Sequence, residues 1–61
     1  MGLVINQKIS VIFDDGKAIS QHIGFFKDKD TEFLYLETKG TTEAIPISKI
    51  IRVEVIRGGT L

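Results

Sequence analysis

The chain has 61 residues, no cysteine, and eight basic side chains balanced by eight acidic ones. That excludes a disulfide framework or a thiolate metal site, and it lacks the basic excess with which nucleic-acid modules usually meet phosphates. A domain near this length buries only about 60% of the surface its unfolded chain exposes, so without a covalent staple the expected remedy is oligomerisation.

With 43% hydrophobic and 26% charged residues, the composition is that of a globular chain. One domain is expected, with its body over 8–57 and flexible ends at 1–7 and 58–61. No apolar run approaches the length of a membrane span and no charged leader precedes a signal core, so the expected compartment is the cytoplasm and no membrane partner is expected.

In chain order, Leu3-Val4-Ile5 reads as an edge strand, a frayed end, or a segment that docks on a neighbouring subunit. In Lys8 to Asp14, Ile9, Val11 and Phe13 alternate with Ser10 and Asp14, the period-2 pattern of a half-buried strand. Asp15-Gly16 follows at once and predicts a tight hairpin turn. The return strand, from Lys17 or Ala18 to Phe26, sets Ile19, Ile23 and Phe25 on one face and Ser20, His22 and Phe26 on the other. Its apolar content assigns the first face to the interior. Gly24 within it predicts a bulge or sharp bend.

Lys27 to Glu32 is the most polar stretch and reads as a solvated loop. Phe33 to Thr38 is a third strand, apolar on both faces. A turn centred on Gly40 leads to a short strand from Glu43 to Ile47, where Pro46 restricts it to an edge or to the strand's end. Ser48-Lys49-Ile50 reads as one 3₁₀ turn, and Ile51 to Arg57 as a last strand, apolar in and charged out. Five short strands at this spacing predict an all-β domain, a small, strongly bent, SH3-like barrel with a one-turn 3₁₀ segment before the last strand.

No catalytic constellation is present. His22, the sole histidine, has no nucleophile and orienting group near it in the pattern, and Asp14 and Asp15 are explained by the turn. Asp28-x-Asp30-x-Glu32 has calcium-like spacing, but the glycine and the final acid of an EF-hand loop would fall on Phe33 and Lys39. No enzyme, metal or cofactor is expected. Ile12, Phe26, Leu34 and Leu36 fall off the predicted interior, and a contiguous apolar patch of that kind marks an interaction surface.

The run Val11 to Ile19, followed by Ile23-Gly24-Phe25-Phe26 and Phe33-Leu34-Tyr35-Leu36, resembles the first motif of the Sm-like family, which includes the bacterial Hfq proteins. The resemblance spans roughly Lys8 to Arg57. It implies a homo-oligomeric ring of six or seven subunits, closed by pairing the fourth strand of one copy with the fifth of the next. That interface would use Ile45 and Ile47 from one edge, Val53 and Val55 from the other, and Phe26. The resemblance also implies single-stranded RNA near the pore.

The family's RNA-contacting aromatic and Asn are absent from Lys27–Glu32, and Pro46-Ile47-Ser48-Lys49-Ile50 replaces its second motif. The cations left for RNA are Lys27, Lys29 and Lys49, with Phe26 as the stacking ring. The sequence therefore supports a non-enzymatic, self-associating assembly or protein-interaction module. An RNA-binding ring is the alternative.

Overall fold

A computed structural model describes residues 3–57; the expectations for residues 1–2 and 58–61 lie outside that range. The predicted alternations form strands β1 (Lys8–Asp14), β2 (Ile19–Lys29), β3 (Phe33–Thr38), β4 (Thr41–Pro46) and β5 (Ile50–Val55), with a 3₁₀ turn at Ile47–Lys49 before β5. All pairings are antiparallel. The five strands make one sheet in the order β4-β3-β2-β1-β5, whose end strands β4 and β5 are not paired with each other.

Two tight turns set the registers. Gly16 supplies φ +95° in the β1–β2 turn, and Lys39 and Gly40 both have positive φ between β3 and β4, as a favoured two-residue hairpin demands. Because that second turn takes only two residues, β4 begins at Thr41 rather than at Glu43. The polar loop is also shorter than its composition implies. β2 runs on to Lys29 by inserting Lys27 as an extra residue between Phe26 and Asp28 in its pairing with β3.

The core is Ile9, Val11, Phe13, Phe26, Leu34, Leu36 and Ile45, with Leu3, Ile47, Ile50 and Val53 packed against it. Each full burial of a large apolar side chain contributes about 1.5–3 kcal/mol. β2 faces the opposite way from the expected one. Ile19, Ile23 and Phe25 are 60%, 49% and 45% exposed, whereas Phe26 is 6% exposed. Leu34 and Leu36 likewise lie in the core, not off it. Register explains this: Ile9, Val11 and Phe13 pair with Gly24, His22 and Ser20, so those small or polar residues share the inner face.

Gly24 allows that packing. It lies in unbroken register opposite Ile9, and a Cβ there would stand 2.3 Å from the Glu37 carbonyl oxygen and 2.7 Å from Thr38 Cγ2. The backbone of β3 occupies the space a side chain would need. Gly24→Ala must push a carbonyl aside, and overpacking of this kind costs about 1–3 kcal/mol. A urea midpoint unchanged from the parent would contradict this close approach.

Candidate functional site

The hydrogen-bond alternation defines what the two end strands present. Ile47 N–H donates to the Glu32 carbonyl at 2.9 Å, which continues the β3–β4 register of Leu34 with Ile45 and Leu36 with Glu43. By antiparallel alternation, Ile45 and Glu43 bond to β3, while Thr42 and Ala44 turn their backbone groups outward. Pro46 lies at an outward position, so its missing N–H costs β3 nothing.

On the other side, Ile56 N–H donates to the Lys8 carbonyl at 3.0 Å. The same alternation leaves Val53 and Val55 with outward N–H and C=O groups. Ile51 is the extra residue of a bulge opposite Ile12 and Phe13, and is 60% exposed. Among the described residues both sheet edges are therefore open.

Where the sheet fails to close, an apolar cleft of about 270 Å³ is lined by Leu3, Leu34, Ile47, Ile50 and Val53, with Lys29 as its one charged lining residue. Of the expected interface residues, Ile47 and Val53 face this cleft and Val55 is exposed on the β5 edge. Phe26 and Ile45 are corrections. Both are already buried within their own chain, so neither offers surface to a neighbour. Sequence reasoning had no signal for the cleft, because its lining comes from four separate parts of the chain.

The residues expected to hold RNA do not converge. The Phe26 ring is inside the core, where no base can stack on it. Lys27 donates to Asn6 Oδ1 at 2.6 Å and lies 3.4 Å from the Glu37 carboxylate. Lys29 lines the apolar cleft, and Lys49 is exposed at the end of the 3₁₀ turn.

At the other end of the sheet, His22 Nδ1 and Glu43 Oε1 are 2.7 Å apart, joining β2 to β4 across the inner face. The Phe13 ring and the imidazole meet in a T-shaped arrangement with centroids 5.0 Å apart. Both members of the pair are partly open to solvent, beside a shallow cleft that also includes Gln21, Thr38 and Lys39. A histidine oriented by a carboxylate is one part of a nucleophile-activating relay, but Ser20 donates its hydroxyl to Asp15 rather than to the ring. What the pair does is tie the β4 edge to β2. Among the described residues no three His, Asp or Glu side chains come together to hold a metal ion.

The turn acids serve local structure. Asp15 accepts from the Ser20 hydroxyl and from the backbone N–H groups of Lys17 and Ala18. These bonds stabilise the ionised form and lower its pKa to about 2. Asp30 accepts from the N–H groups of Phe33 and Glu32 and from the Tyr35 hydroxyl, which holds its carboxyl below the ordinary range.

A depressed folded-state pKa gives stability that is complete above the unfolded value, near 3.9, and is lost as pH falls through the folded value. The contribution of Asp15 should therefore persist at neutral pH and disappear between about pH 4 and 2. A carboxyl titration by NMR should place the Asp15 midpoint near 2, and Asp15→Asn should flatten the acid limb of the stability curve. A midpoint at the ordinary carboxylate value would contradict the turn geometry.

Fold and surface together define an all-β, five-stranded antiparallel domain whose sheet, among the described residues, has two open edges and is not closed. No helix among the described residues is long and apolar enough to cross a membrane. In comparison with known proteins, no family model, no curated protein and no solved structure matches this chain.

Proposed function

We propose that this chain is a non-enzymatic, self-associating assembly module. Its curled sheet acts as an SH3-like barrel completed by a second copy, the β4 edge of one pairing with the β5 edge of the next in a cyclic homo-oligomer of Sm-like type. The observation that supports this reading is the pair of unsatisfied edges: the outward groups of Thr42 and Ala44 on one side, and of Val53 and Val55 on the other. An exposed edge is a template for strand pairing, and a chain of this size gains from any contact that adds buried surface. Val55, Ile47 and Val53 would contribute the apolar part of the contact.

The RNA reading loses its stacking residue to the core and keeps only scattered lysines. The decisive measurement is native mass by light scattering, before and after nuclease, with the absorbance ratio recorded. A multiple of 6.8 kDa that is unchanged by nuclease is expected. A monomer at every concentration would overturn self-association, and a mass that collapses on nuclease treatment would make nucleic acid the organising partner.

A further inference from the structure

We propose that the β5 edge and the adjoining apolar cleft form a docking groove for an extended peptide of another protein. That peptide would carry aliphatic side chains at alternate positions and an acidic residue beside them. The gap in the sheet lies beside the unpaired end strand β5. Val53 and Val55 present outward N–H and C=O groups, so a peptide laid alongside gains backbone hydrogen bonds. Its side chains on the inner side then lie over Leu34, Ile47, Ile50 and Val53. Backbone pairing gives affinity in this mode and the pockets for alternate side chains give specificity. A cleft of about 270 Å³ is smaller than the about 300–1,000 Å³ of small-molecule sites, and it suits side-chain anchors.

Charge selects the occupant. Among the described residues the ion pairs are His22–Glu43, Lys27–Glu37 and Arg52–Glu54, so Lys29 at the cleft has no carboxylate partner, nor has Lys49, which stands between the lining residues Ile47 and Ile50. Of the acids in the same stretch, Glu32 lines a separate cleft with Pro46 and Ser48, and the other two are held by Tyr35. Asp28 pairs with Tyr35 and Asp30 bonds the Tyr35 hydroxyl, whereas Lys29 pairs with the core residue Leu34. The groove is thus apolar with the cation of Lys29 in its lining, which complements an acidic flank and opposes a basic one. β4 is the poorer template, since Pro46 removes an outward donor from it.

The groove does not require self-association. A monomer would bind the peptide, and in an assembly the peptide would compete with the neighbouring copy for β5. The test is fluorescence anisotropy with a labelled peptide of alternating leucine and threonine ending in two glutamates, against the same peptide ending in two lysines. At low ionic strength the glutamate peptide should bind about tenfold more tightly, and Lys29→Glu should reverse the order. Val55→Pro should abolish binding, while Ala44→Pro, on the other edge, should leave it intact. Circular dichroism checks that both variants fold.

Equal affinity for the two peptides, no saturable binding, or loss with Ala44→Pro but not with Val55→Pro would overturn the groove. Bound peptide should also lower the native mass of any assembled sample. An unchanged mass at saturation would overturn the shared edge without touching the case for self-association.

Discussion

Phe26→Ala should cost this chain a large part of its stability and lower its urea midpoint steeply. Phe26 is 6% exposed and belongs to the same cluster as Leu34, Leu36 and Ile45, and truncating a buried phenylalanine costs about 3–5 kcal/mol through lost transfer energy and the cavity left behind. A chain of 61 residues at about 0.05–0.15 kcal/mol per residue has roughly 3–9 kcal/mol in total, so one substitution removes about a third of it or more. Phe26→Asp should be worse, because it buries a charge. The opposite facing of β2 makes a contrary prediction, in which Phe26→Asp gives folded monomers. Ile23→Ala separates the two: on the exposed face it should change stability by no more than about 0.5 kcal/mol. Urea unfolding of the two variants side by side would settle which face is inside, and a larger loss for Ile23→Ala would reverse the assignment.

Proline on either open edge should abolish assembly while sparing the fold. Ala44 and Val55 both occupy positions whose N–H points away from the neighbouring strand, so neither β3–β4 nor β1–β5 loses a hydrogen bond when proline replaces them. What each loses is an outward donor, and the proline ring obstructs an approaching strand. The effect on the isolated fold should stay within ~1 kcal/mol, whereas the native mass should fall to that of the single chain. The most informative experiment mixes Ala44→Pro with Val55→Pro. Each variant retains the edge that the other has lost, so in edge pairing between β4 and β5 the mixture should form a dimer where neither alone does. If both variants retain the parent mass, the edges are not the contact, and the exposed row Ile19, Ile23 and Phe25 becomes the surface to test.

The sequence by itself determined the local architecture of this protein. β1 and β3 begin and end where alternation and turn chemistry put them, the Asp15-Gly16 and Gly40 turns are hairpins, and the short 3₁₀ turn precedes the last strand. These features depend on period and on backbone sterics, both local properties. Tertiary structure decided which face of β2 is inside. By composition Ile19, Ile23 and Phe25 outweigh Ser20, His22 and Gly24, yet the inner side of a curled strand has less room than its outer side. Where β3 crosses at Glu37, only a glycine fits.

The same curl removed Phe26 from the candidate RNA site and Ile45 from the candidate interface, and it brought His22 to Glu43 across 21 residues of sequence. Nor could the sequence alone reveal the cleft, since Leu3, Lys29, Leu34, Ile47, Ile50 and Val53 meet only where the sheet stops short of closing. A strand pattern specifies two faces and leaves their direction to packing, because a rotation of half a turn satisfies the same period.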